Sequence, residues 1–169
     1  RRARVTPARV AAIGVTHWHS LYDSAYLKHL AAMPEFEIVA LHDASPAIAA
    51  KRAAVLGNPP TFTDYRAMLA KVRPEFVIAL GPHNRMAEPA HHLLDEGYPF
   101  VMEKPMGVNA AEVQSIADKA AAKRAFVAVP LIQRYQPFTI RARQLMAEGR
   151  LGPLSHFYFR LNRPTSGRY

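Results

Sequence analysis

Apolar and polar positions along this chain alternate between two rhythms. Short, nearly unbroken apolar runs recur at residues 10–15, 37–43, 76–80, 99–103 and 126–132. Runs of that length and character are what strands buried on both faces require. Between them the apolar positions take a helical spacing, first over residues 20–33, where Leu21, Tyr22, Ala25, Leu27, Leu30 and Ala31 fall largely on one face. Ser45 followed by Pro46 opens a second helix, the serine as a cap and the proline where no N–H is missed, and Gly57 ends it. Thr61 and Phe62 form a short strand, after which a helix runs from Thr63 to about residue 71. A further helix starts near Met86, keeping Pro89 in its first turn, and stops at Gly97. Asn109 with Glu112 makes a capping-box-like pair opening an alanine-rich helix to about residue 123. A last helix near residues 138–148 stops at Gly149, before an expected seventh strand at residues 154–162.

Strands and helices in strict alternation imply an α/β fold, a doubly wound parallel sheet with right-handed crossovers. This is the Rossmann arrangement of nucleotide-binding domains, in which ligands sit at the carboxyl ends of the strands. Residues 10–132 are expected to form that dinucleotide-binding domain. The seventh strand differs, because its polar and aromatic positions partly alternate and it follows Gly152-Pro153. Residues 133–169 therefore read as a linking helix and the first strand of a C-terminal α+β domain left incomplete. The chain also opens on Arg1 rather than methionine, as a trimmed sequence would.

Composition narrows the function classes. Of 169 residues, 50 % are hydrophobic and 21 % charged, which suits a globular domain with a real core. No apolar run approaches the ~20 residues that span a bilayer, so no membrane association is expected. Cysteine is absent, which excludes disulfides and thiolate metal sites and suits a reducing cytoplasm, the expected compartment. The formal charge of +9 invites a nucleic-acid reading. However, residues 1–9 hold four arginines and no acid, residues 160–169 hold three more, and the body between is nearly neutral. Without a basic face on one element, no nucleic-acid partner is expected. Residues 1–9 read as a mobile basic leader, since no apolar segment follows Arg1-Arg2 as an export signal would require.

The candidate chemistry lies at the strand ends. Gly14 can supply the tight turn of a dinucleotide site, but Thr16 and His19 stand where the second and third glycines would be. Asp43 ends the second strand, where an acid accepts from ribose hydroxyls and repels a 2′-phosphate, favouring NAD over NADP. Its alternative is a turn residue ahead of the Ser45 cap. In residues 101–107 a buried strand stops at Glu103-Lys104-Pro105, and the proline biases Lys104 toward extended geometry, aiming it at the ligand crevice. His17 and His19 could bind a metal, with His83 and Asp43 as conceivable additions. No third ligand is evident nearby in sequence, so no metal is expected. Their other readings are phosphate donors or plain hydrogen-bonding residues, with Trp18 packed under the loop. His91 and His92 read as surface or rim residues.

Here the chain resembles the glucose–fructose oxidoreductase, inositol dehydrogenase and rhizopine-catabolism (Gfo/Idh/MocA) family. The likeness rests on Glu103-Lys104-Pro105 and Asp43. Pro82 with His83-Asn84 is similar to the family's T-P-N segment, with Gly81 in place of threonine. Arg134-Tyr135-x-Pro137 is similar to R-[FY]-x-P, and Gly149-Arg150-Leu151-Gly152 to G-x-[IL]-G. The resemblance implies a dehydrogenase that uses NAD, or less readily NADP, on sugars, cyclitols or related polyols. Cofactor contacts are implied for Gly14, Thr16, His17, Trp18, His19, Asp43, Gly81, Pro82, His83, Asn84, Glu103, Lys104 and Pro105. Lys104 would be catalytic beside the reacting hydroxyl, with Glu103 holding the strand end and Arg134 and Tyr135 facing substrate. A lysine beside a cationic nicotinamide feels a like charge, which eases proton transfer.

Three features depart from the family pattern: the altered glycine turn, Met86 where a histidine is common, and the family's second proton-transfer histidine, which would lie beyond Tyr169. The resemblance also implies self-association through a sheet that would follow that residue. The competing expectation is a catalytically silent nucleotide- or sugar-binding sensor on the same fold.

Overall fold

A computed structural model describes residues 6–22 and 24–160. Six strands, β1 (Ala8–Ile13), β2 (Phe36–His42), β3 (Thr61–Phe62), β4 (Phe76–Ala79), β5 (Phe100–Met102) and β6 (Val127–Ala128), form one sheet in the order β3-β2-β1-β4-β5-β6. All five pairings are parallel. The connecting helices are α1 (Tyr26–Ala31), α2 (Pro46–Ala53), α3 (Tyr65–Val72), α4 (Ala87–Asp95) and α5 (Ala110–Lys123), and α6 (Pro137–Ala147) follows β6. The strand order reverses between β1 and β4, and in such sheets that reversal opens a crevice at the carboxyl ends of the two strands.

Alternation along each strand divides the core into two layers. Ala11, Ile13, Val77, Ala79, Phe100 and Met102 pack with Met68, Leu93, Leu94 and Ile116, from α3, α4 and α5. Val10, Ala12, Leu41, Ile78 and Leu80 pack with Leu21, Leu27 and Ala53, on the side of α1 and α2. Each fully buried leucine or phenylalanine here contributes ~1.5–3 kcal/mol relative to exposure.

Several elements differ from the sequence expectation. The helix expected over residues 20–33 is a short 3-10 turn, Trp18–Ser20, followed by α1, because Ala25 takes a left-handed conformation (φ 45°) and starts the helix late. β6 is two residues rather than seven, since Pro130 has no N–H for the ladder. β1 begins at Ala8, inside the expected leader. Arg9 is tied down, with its guanidinium donating to the carbonyls of Val72 and Arg73 at 2.6 and 3.1 Å. Residues 1–5 of that leader lie outside the described residues. Residues 154–160 are not a strand, as they have no partner to complete a ladder among the described residues, and Phe157 and Tyr158 are 81 % and 80 % exposed. Residues 161 and 162 of the same expected strand lie outside the described residues.

The chain groups into two compact units, Arg1–Pro130 and Leu131–Tyr169. The first holds the sheet. The second holds a 3-10 turn, Ile132–Tyr135, and α6, which starts at Pro137 and is followed by Gly149 and Gly152 with positive φ.

Candidate functional site at the strand carboxyl ends

Gly14 follows β1 with φ 71°, and a Cβ on it would stand 2.6 Å from both N and Cα of Gly81. The ends of β1 and β4 therefore meet backbone to backbone, a contact only glycine allows at position 14. Past Gly14 the chain turns tightly. His17 N–H donates to the Gly14 carbonyl, and the Ser20 hydroxyl donates to that of Val15. The 3-10 turn Trp18–Ser20 is capped by His17, whose Nδ1 accepts from the backbone N–H of His19 at 3.2 Å. Trp18 is half exposed and stacks on Tyr22 at 4.5 Å, so it lies over the surface rather than beneath the loop.

Asp43, one residue past β2, is buried. One carboxylate oxygen accepts from Thr16 N–H at 2.6 Å and the other from Ser45 N–H at 3.0 Å. The turn role ahead of the Ser45 cap is thus present, in an acid that stands at the end of the strand. Each oxygen keeps a second lone pair with which to accept a further hydroxyl.

Glu103, one residue past β5, is fully buried. Its Oε1 accepts from Lys104 N–H at 2.9 Å, fixing the backbone at the point where the lysine departs. Its Oε2 lies 2.9 Å from His19 Nδ1. A histidine where a third glycine was expected thus meets the buried carboxylate beside the lysine. Lys104 is exposed, and its peptide bond to Pro105 is cis. Burial pushes the His17 imidazole below its usual pKa. Glu103 opposes that shift, while His19, His83 and Lys104 add to it. The Lys104 backbone is tied to the turn after β1 through Glu103, whose Oε2 reaches His19.

His17, His19 and Glu103 come together, with one nitrogen or carboxylate oxygen of each within 4.8 Å of the others. The third metal-capable group that the sequence reading did not find is therefore Glu103, 84 residues from His19. Only the strand order could have signalled it. Asp43 is not part of this cluster; its oxygens accept from Thr16 and Ser45. The His83 ring centre is 6.0 Å from that of His17, and Pro82, His83 and Asn84 lie exposed on the turn after β4. Met86 is buried in the core. His91 pairs with Ser115 and His92 with Arg66 at the helical surface, outside the cluster. Arg134 and Tyr135 belong to the other unit, where both are exposed.

The arrangement suits a dinucleotide. Glycine backbones cross at the switch point, an acid closes β2, and a lysine stands past β5 on an anchored backbone. The profile of the oxidoreductase family with an NAD-binding Rossmann fold matches residues 8–130. D-glucoside 3-dehydrogenase of Escherichia coli is 26 % identical over 149 residues, covering 88 % of this chain and 42 % of that protein. D-xylose 1-dehydrogenase (NADP(+)) of Hypocrea jecorina is 28 % identical over 92 residues, 54 % of this chain and 24 % of that protein. Among solved structures, myo-inositol 2-dehydrogenase of Lactobacillus plantarum superposes with a TM-score of 0.76 at 20 % identity, over 87 % of this chain and 43 % of that one. The NAD(H)- and scyllo-inositol-bound scyllo-inositol dehydrogenase of Lactobacillus casei gives 0.77 at 17 %, again over 87 % and 43 %. The chain spans less than half the length of these relatives, and the structural matches show the fold. By the family profile over residues 8–130, the chain belongs to the Gfo/Idh/MocA oxidoreductases through their NAD-binding Rossmann domain.

Proposed function

We propose that this chain is the nucleotide-binding half of an NAD-dependent dehydrogenase that moves hydride to or from a sugar, cyclitol or related polyol. The observation that carries the reading is the end of β5, where an exposed lysine leaves a backbone held by a buried carboxylate, beside the turn after β1. NAD, when bound, supplies the hydride acceptor or donor. Asp43 would accept from the adenosine ribose hydroxyls through its remaining lone pairs and repel a 2′-phosphate, which favours NAD although one relative's name specifies NADP(+). Gly14, Thr16, His17, Trp18 and His19 would border the diphosphate, and Gly81, Pro82, His83 and Asn84 the cofactor's far side.

Lys104 would donate a hydrogen bond to the substrate oxygen and hold or release its proton as that oxygen changes between alcohol and carbonyl. Glu103 positions it through the backbone bond at 2.9 Å. Arg134, Tyr135 and further residues of the intact protein would complete the substrate side. A polyhydroxyl substrate is supported by the sugars and inositols in the relatives' names. The cysteine-free chain suits a cytoplasmic setting.

A second reading, a silent nucleotide- or sugar-binding sensor, is favoured by the turn itself. Thr16 N–H and His19 N–H are already committed to Asp43 and His17, rather than left open for phosphate. Turnover separates the two. In the intact protein, absorbance at the reduced-nicotinamide band against a panel of polyols should show activity that Lys104→Ala abolishes, with NAD affinity kept within a few-fold. Wild-type turnover in that variant, or none in the parent on any polyol, refutes the catalytic reading.

A further inference from the structure

We propose that His17, His19 and Glu103 form a binding site for one divalent transition-metal ion of the zinc class. The site goes beyond the dehydrogenase reading and does not depend on it. Two imidazoles from the turn after β1 and one carboxylate from the end of β5 present ligand atoms within 4.8 Å of one another. Around a zinc ion with bonds of ~2.0–2.2 Å, such atoms stand roughly 3.4 Å apart, so closure asks the widest pair to draw in by at most about 1.5 Å and His19 Nδ1 and Glu103 Oε2, at 2.9 Å, to part by about 0.5 Å. The His19 side chain, 13 % exposed, already meets Glu103, so the adjustment falls mainly on the more loosely held His17 ring.

Donor chemistry selects the ion. Two nitrogens and one carboxylate oxygen are a zinc set with one position left for water or an anionic oxygen, whereas magnesium and calcium prefer oxygen throughout. Charge points the same way. The Glu103 carboxylate is fully buried, and a buried carboxylate is costly without a compensating cation. The ion would stand between Glu103 Oε2 and the His19 ring, in place of the contact that now joins Oε2 to Nδ1 at 2.9 Å. Lys104 N–H, bonded to the other oxygen, would orient the ligating carboxylate as supporting hydrogen bonds do in metal sites.

The test is titration of the metal-free, untagged chain with Zn²⁺ against a chromophoric chelator, and with Co²⁺ followed by visible absorption. One ion per chain at micromolar concentration is expected, with cobalt ligand-field bands. His17→Ala and His19→Ala should each weaken binding by more than about tenfold, while the paired substitution His91→Ala, His92→Ala leaves it unchanged. Because Glu103 is buried, Glu103→Gln carries weight only if its circular dichroism matches the parent; the histidine variants decide the matter without it. No binding at these concentrations, equal binding in the His17 and His19 variants, or loss in the His91/His92 variant overturns the site. A parallel NAD titration separates the two readings, since dinucleotide binding without metal binding overturns this proposal alone.

Discussion

At Gly14 the backbone conformation and the space around it make the same demand. Its φ of 71° is costly for any residue with a side chain, by roughly 1–2 kcal/mol, and the missing Cβ is what allows Gly81 its approach. Gly14→Ala should therefore lower the unfolding midpoint by roughly 4–8 °C for a loss of about 2 kcal/mol, measurable by thermal scanning. An unchanged midpoint would mean that the β1 and β4 ends can part without cost. His42, at the end of β2, sets a pH limit. Burial pushes its imidazole below the ordinary 6.5, against the opposing pull of Asp43, a backbone bond to Thr63, and Asp64. The unfolded chain then takes up the proton first. Stability is full above about pH 6.5 and falls as pH drops toward the folded-state value, where the loss levels off. Urea midpoints at pH 7.5 and 5.5 should show that decline, and His42→Gln should shrink it.

Among the elements, what could be read in advance was what the chain decides within a few residues. Ser45 caps α2 through Ile48 N–H, and Asn109 caps α5 through Glu112 N–H at 2.9 Å, both visible as a polar residue ahead of a helical run. Glu112 reaches back to Val108 N–H rather than to the cap residue itself, a detail that spacing alone does not settle. Asn109→Ala should cost about 1 kcal/mol by chemical denaturation, and Asn109→Asp should restore most of it. The delayed start of α1 was not legible, because a left-handed alanine carries no sequence signal. The pairings Thr16 with Asp43 and His19 with Glu103 were hidden for another reason. Each joins residues from separate crossovers, and only the sheet order makes them neighbours. The acid and the lysine were found as strand-end residues; their partners were not.

For the whole molecule, the sheet and both core layers lie within Arg1–Pro130. A chain ending at Pro130 should unfold in one cooperative step, with the same midpoint by circular dichroism and by fluorescence of Trp18, the only tryptophan. Non-coincident or featureless transitions would show that residues 131–169 are needed for the fold. The two outer strands, β3 and β6, are two residues long, and that brevity has a consequence for assembly. At the β3 side it leaves residues 36–40 of β2 without a ladder partner, because β3 pairs only with Leu41 and His42, whereas the β6 rim itself offers few amide and carbonyl groups. A strand added to this sheet would therefore find its template along β2 rather than at β6.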